Sequence, residues 1–371
     1  MSQPSDTVRP EVTRLVPYNA GLTIAEVVAR YAPARIAKLG SNENPTGPSP
    51  RATAAAAAAI TTMRLYPDPI NRDLRRALAE RAGVAADRIM IGNGSEDLLA
   101  ILARATLRPG DRVVTLYPSF PLHEDYATMM GATVDRVAVR PDLTIDVEAL
   151  VAALAEPCRI LIFANPMNPV GSWLTDVELE RVLAAVRPET LVVVDEAYAE
   201  YAAGPDHPSA AAALKDARHP WVVLRTFSKA YGLAGLRVGW GIFADADLCD
   251  LIDRVRTPFN VNAVAQAAAV AALADDAHLA AVVEATLAER ARMRVALEGL
   301  GLTVAPSKGN FLFFDCRRDS AGLAEALLAR GVIVKAWKQP GYRTFARVSI
   351  GAPQENDQFL EAMAELLGAG G

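Results

Sequence analysis

Between residues 88 and 241 the chain repeats one pattern: a short apolar, β-branched run followed by an amphipathic stretch of about ten to fifteen residues. The runs at 89–91, 112–116, 134–139, 160–164, 191–194, 221–225 and 238–242 predict seven strands. Several are apolar throughout, as strands covered on both faces must be. Alternation of such strands with helices predicts an α/β architecture with a mainly parallel sheet. Before this block, residues 15–45 are rich in turn formers and predict an irregular arm. The six alanines at 54–59 predict a helix, and 70–81 predicts a second one closed by Gly83. Beyond residue 248 the pattern is helical for some fifty residues, including a long helix over 276–300. A smaller α+β unit follows, with strands at 311–314, 332–334 and 345–350 and a closing helix over 353–367.

Composition narrows the function classes. The chain has 371 residues, 51% apolar and 22% charged, with 24 Gly and 24 Pro, which excludes disorder and collagen-like repeats. A net charge of -5 gives no global attraction to nucleic acid or to an anionic membrane, so any anion must be held by a local site. No apolar run approaches the ~20 residues that span a bilayer. The amino terminus lacks the basic start and apolar core of a secretory signal. Cys158, Cys249 and Cys316 are odd in number and far apart, which argues against a disulfide framework or a cysteine metal knuckle. The expectation is a cytoplasmic protein in a reducing compartment, without a metal: His123, His207, His219 and His278 form no ligand pair. His123 reads as a helix residue near a cleft.

In an open parallel sheet, ligands sit beyond the carboxyl ends of the strands. Four strand ends carry unusual residues. GNGSED (92–97) is a Gly-rich turn opening a helix, which offers free backbone N–H groups to a phosphate; a plain turn is the rival reading. Position 97 is Asp rather than the third glycine of a dinucleotide fingerprint, and no GxxxxGK[ST] occurs. Asn168 stands in the rigid loop NPMNPVG (165–171). Asp195 ends a run of apolar residues, where a carboxylate is costly unless it meets a positive partner. Lys229 and Arg237 follow the run at 221–225. A phosphate anchor, a carboxylate, Asn and Tyr donors and an amine together suit pyridoxal phosphate: the amine forms a Schiff base, and the carboxylate keeps the pyridinium nitrogen protonated. Asn and Tyr would bond the phenolic oxygen, and Arg and Ser beside a helix amino terminus would hold the phosphate.

At these residues the chain resembles the fold-type-I aminotransferases, and among them the histidinol-phosphate aminotransferase branch. The resemblance rests on ANPMNPVG (164–171), VDEAY (194–198) and FSKAYGLAGLRVGW (227–240), and extends from SNENPTGPSP (41–50) through YPDP (66–69) and GNGSED to RVSIG (347–351). It implies a large domain with a mostly parallel seven-stranded sheet between helices, plus a small α+β domain. The corresponding division is an arm at 1–44, a cofactor domain at 45–260, and an interdomain helix with the small domain at 261–371. Lys229 then matches the Schiff-base lysine and proton shuttle. Asp195 matches the pyridinium partner, with Asn168 and Tyr198 at the phenolic oxygen. Ser228, Arg237, Thr226 and the turn Gly94, Ser95 and Glu96 match the phosphate cup, and Phe120 the ring stacked on the pyridine, against a rival reading as helix packing. Family members are homodimers, and Tyr66 matches the tyrosine that reaches the neighbour's cofactor.

On the substrate side the resemblance implies Tyr18, Asn44, Lys335 and Arg347. Arg347 would clamp a carboxylate or a phosphate through its planar fork. Lys335 stands where the branch usually has Arg, which keeps the charge and loses the fork. The implied activity is amino transfer between glutamate and histidinol phosphate in histidine biosynthesis. An aromatic amino-acid aminotransferase is the nearest alternative, and a decarboxylase of a phosphorylated amino acid a more distant one.

Overall fold

The computed structural model describes residues 6–17, 21–204 and 209–368. Its central sheet has seven strands: β1 Ile89–Gly92, β2 Arg112–Tyr117, β3 Thr133–Ala138, β4 Ile160–Ala164, β5 Leu191–Asp195, β6 Trp221–Thr226 and β7 Gly239–Phe243. They lie in the order β1-β7-β6-β5-β4-β2-β3. Only β7 runs against its neighbours, so the sheet is mostly parallel, as the apolar runs predict. Every residue of β1, β4, β5 and β7 is buried, which explains why these runs carry no polar alternation. β3 is an edge strand and is mostly exposed.

The main helices in chain order are α1 Ile24–Tyr31, α2 Pro50–Ile60, α3 Arg72–Ala82, α4 Ser95–Thr106, α5 Pro121–Met129, α6 Ala263–Leu273, α7 Asp276–Gly299 and α8 Pro353–Gly368. The alanine tract lies in α2, which packs along the equally alanine-rich α6; small side chains let the two axes approach closely. Helix α3 ends at Gly83, whose φ of 66° suits a left-handed cap.

A second apolar cluster gathers Leu312, Phe314, Val348, Phe359 and Met363. It lies among α8, the carboxyl end of α7, and an antiparallel pair, β8 Phe311–Asp315 and β9 Phe345–Ser349. Ala37–Lys38 pairs in parallel with Val332–Ile333 and ties the arm to this unit. The arm departs from the irregular reading, because it contains α1. Thr23 and Glu26 form a reciprocal capping box at its start, a T-x-x-E signal present in the sequence. No single helix among the described residues is long and apolar enough to cross a membrane.

Candidate active site

The carboxyl ends of β4, β5 and β6 lie side by side, with Ala164 opposite Asp195 and Asp195 opposite Leu224. The loops that follow them, the start of α4, the segment 40–43 and β9 enclose a cleft of about 320 Å³. Its wall includes Ser95, Glu96, Phe120, Asn168, Asp195, Tyr198, Thr226, Ser228, Lys229, Arg237, Lys335 and Arg347. Residues from six separated motifs thus reach one cavity.

At one end is an anion cradle. Gly94 precedes α4 with φ 81°, and a Cβ there would lie 2.3 Å from Arg237 Nη2. A Cβ at Gly239 would lie 2.3 Å from the Ser95 backbone nitrogen. Bare backbone at both positions lets Arg237 cross the mouth of α4. Arg237 Nη1 donates to Ser228 Oγ at 3.3 Å, and Thr226 Oγ1 donates to the same oxygen at 3.0 Å. A guanidinium, two hydroxyls and a helix amino terminus in one place form a donor set that fits a phosphate monoester.

Asp195 lies on the cleft floor, 5% exposed. Its Oδ1 accepts from Ala197 N at 3.0 Å, and its Oδ2 lies 3.1 Å from His123 Nε2. His123 is therefore a partner of the buried carboxylate and not merely a helix residue near the cleft. The available signal was its spacing: three residues after Phe120, it lies on the same face of α5, and the two rings meet edge to face at 5.6 Å.

Tyr198 Oη accepts from Asn42 Nδ2 at 3.0 Å. Asn42 is 1% exposed with φ 56°, a left-handed conformation that Asn tolerates better than most residues. Its backbone N–H donates to Ser349 Oγ at 2.7 Å, and its carbonyl accepts from Asn310 Nδ2 at 3.1 Å. The sequence reading passed over Asn42 in favour of Asn44. The Asn44 side chain instead donates to the carbonyls of Ala230 and Gly47, and it is not on the cleft wall. Tyr18 lies outside the described residues. Tyr66 is 82% exposed, stacked on Phe259 at 4.6 Å, and it does not line the cleft of its own chain.

Lys229 Nζ donates to the Ser41 carbonyl at 3.1 Å. Burial, and then the charge of Arg347, lower its pKa from 10.5 to about 8, with Glu43 opposing and Arg237 adding. Only the neutral amine attacks an aldehyde, so a lowered pKa moves the reactive window down. The rate at which cofactor-free protein captures pyridoxal phosphate should therefore rise with pH and reach half its plateau near 8. A half-point near 10, measured by stopped-flow absorbance, would contradict this environment.

At the opposite end, Arg347 is 7% exposed and donates to Asn168 Oδ1 at 2.7 Å and to the Gly40 carbonyl at 2.9 Å. Its guanidinium lies 5.6 Å from the Phe311 ring centroid and 5.9 Å from that of Trp337. Lys335 faces Arg347 across the β9 ladder. Burial, then Arg347 and Lys338, lower Lys335 to about 8. Two cations forced together in a partly dry site are poised for a dianion.

A family model, "Aminotransferase class I and II", matches residues 34–363. The chain is 61% identical to histidinol-phosphate aminotransferase 1 of Mesorhizobium japonicum, over 99% of this chain and 100% of that protein. It is 57% identical to histidinol-phosphate aminotransferase 3 of Rhizobium meliloti, over 100% of both. Among solved structures, histidinol-phosphate aminotransferase from Sinorhizobium meliloti in complex with pyridoxal-5'-phosphate superposes with a TM-score of 0.89 at 30% identity, covering 98% of each chain. A Thermus thermophilus aspartate aminotransferase variant, at 22% identity over 97% of this chain and 99% of its own, shares the fold with a TM-score of 0.83.

Proposed function

Because the chain belongs to the class I and II aminotransferases, we propose that it is a pyridoxal-phosphate-dependent histidinol-phosphate aminotransferase of fold type I. It exchanges an amino group between L-glutamate or 2-oxoglutarate and L-histidinol phosphate or imidazole acetol phosphate, in histidine biosynthesis. One observation supports this reading above the rest. A single cleft holds an amine, a buried carboxylate, an anion cradle and, at its far end, a second pair of cations, Lys335 and Arg347. An aromatic amino acid has no use for two cations beside its one carboxylate; a substrate phosphate does.

The cofactor, when bound, supplies a ring that takes up the electrons released when the substrate Cα–H bond breaks. The chain does the rest. Ser228, Thr226, Arg237 and the Gly94–Ser95–Glu96 turn would hold the cofactor phosphate, and Phe120 would pack against its ring. Asp195, steadied by His123, would pair with the ring nitrogen. Asn168 and Tyr198, the latter held by Asn42, would donate to the phenolic oxygen. Lys229 would anchor the cofactor through its amine and, when free, would accept the proton from the substrate Cα. Arg347 and Lys335 receive the carboxylate of glutamate in one half-reaction and the phosphate of histidinol phosphate in the other; Tyr18 belongs to the same end by resemblance.

The working form is a homodimer. Met63, Leu65 and Tyr66 are exposed at 74%, 57% and 82%, with Tyr66 stacked on Phe259, an apolar surface that a second copy would bury while bringing Tyr66 to the neighbouring cleft. The organisation that goes with this reading is an arm at 1–44, a cofactor domain at 45–260 and a small domain with its connecting helix at 261–371, in a cytoplasmic enzyme. Purified protein given histidinol phosphate and 2-oxoglutarate should form glutamate at least about tenfold faster than with phenylalanine at equal concentration. The reverse ranking would transfer the assignment to an aromatic aminotransferase.

A further inference from the structure

A cavity larger than the cleft lies elsewhere among the described residues. It has a volume of about 1070 Å³ and lies beside β6 and β7, walled by α3 and α7. Such a size is ample for a small-molecule site. The motifs that build the cleft build this cavity as well. Asp195 lines the cleft and Glu196 the cavity; Tyr198 the cleft and Glu200 the cavity. Thr226 lines the cleft and Arg225 the cavity, because successive strand residues point to opposite faces. Lys229 lines the cleft, and Tyr231, two residues on, the cavity.

The cavity's polar groups are unevenly matched. Arg225 donates to Glu196 at 2.7 Å, and Arg81 to Asp276 at 2.8 Å, so each arginine has its own carboxylate. Glu200 makes no ion pair or side-chain hydrogen bond among the described residues; burial raises its pKa, and the nearby charges of Arg225 and Arg81 only partly offset this. The Tyr231 hydroxyl, on a residue 6% exposed, also has no hydrogen-bond partner among the described residues. Lys215, Arg88 and Glu284 also line the cavity; Arg88 is occupied by the Phe243 carbonyl and the Trp221 ring, and the other two are exposed. An acid without a direct ion pair and a hydroxyl without a side-chain partner, near apolar Trp240, Leu279 and Val283, define a polar and an apolar end for a ligand.

We propose that this cavity is a second ligand site, taking a small organic cation whose N–H donors bond Glu200 and Tyr231 and whose apolar body lies against Trp240, Leu279 and Val283. Its occupant touches the turns that carry Lys229 and Tyr198 from behind. Benzamidine is a suitable probe, because its amidinium is not a primary amine that would condense with the cofactor, and benzoate is its anionic counterpart of equal shape. Calorimetric titration of the full-length, cofactor-loaded protein should show one saturable benzamidine site per chain and none for benzoate. Glu200→Gln should weaken benzamidine about tenfold, the effect of removing one charge-assisted hydrogen-bond acceptor. Ala280→Trp, which fills the cavity, should abolish binding. Absence of benzamidine binding at millimolar concentration, equal binding of benzoate, or affinity unchanged in both variants would overturn the proposal.

Discussion

Lys229→Ala should lose at least about 10⁴-fold in turnover, since in the proposed mechanism the substitution removes both the covalent anchor and the proton carrier. The fold should survive, because among the described residues the amine's one hydrogen bond is to the Ser41 carbonyl and burial already disfavours its charge. The anion cradle and Asp195 remain intact in this variant, so it should still retain pyridoxal phosphate through dialysis at micromolar protein. Borohydride followed by peptide mass analysis should find the cofactor fixed at position 229 in the parent protein and nowhere in the variant. Residual turnover above a tenth of the parent's would remove Lys229 from its assigned role.

The second large effect belongs to the far end of the cleft. Arg347→Ala removes a buried guanidinium whose partners, Asn168 Oδ1 and the Gly40 carbonyl, then lose their donor. Truncating a buried, hydrogen-bonded charge that meets an anionic ligand costs about 2–5 kcal/mol. We therefore expect kcat/KM to fall by about 10² to 10³ for glutamate and histidinol phosphate alike. Lys335→Ala should separate the two substrates. Its ammonium is a point charge without a fork, and it is a second cation that a dianionic phosphate uses more than a carboxylate does. The loss should be several-fold larger for histidinol phosphate than for glutamate. Equal losses in the Lys335 variant would mean that this lysine does not read the phosphate.

Much of this site was legible because the chain presents it at strand ends. Asp195 and Lys229 follow apolar runs closely, and burial on both sheet faces is what makes those runs apolar and the polar residue after them conspicuous. The helix α1 was missed although Thr23 and Glu26 carry its capping signal, because the surrounding prolines and glycines read as an arm. Asn42 was missed for a different reason. Its importance lies in contacts with Tyr198 and Ser349, 156 and 307 residues away, and no local pattern encodes such a pairing. The spacing of His123 from Phe120 places it near the cleft, but its partner Asp195, 72 residues away, follows only from the fold. Asn44 illustrates the converse: it stands in the motif, yet its amide serves two backbone carbonyls. The opposite-face partners Glu196 and Arg225 were equally hidden, since an ion pair across two strands follows from register, not from spacing.

The substrate assignment stands or falls on whether the basic pair reads a phosphate. The direct test is a single-turnover comparison of histidinol phosphate with histidinol, following the visible absorbance of the cofactor-loaded enzyme as its amino group is taken up. A phosphate held by Arg347 and Lys335 should make histidinol phosphate react with a second-order rate constant at least about 10²-fold above that of histidinol. Equal rate constants would contradict the account, leaving an aminotransferase whose second pair of cations serves some other anion.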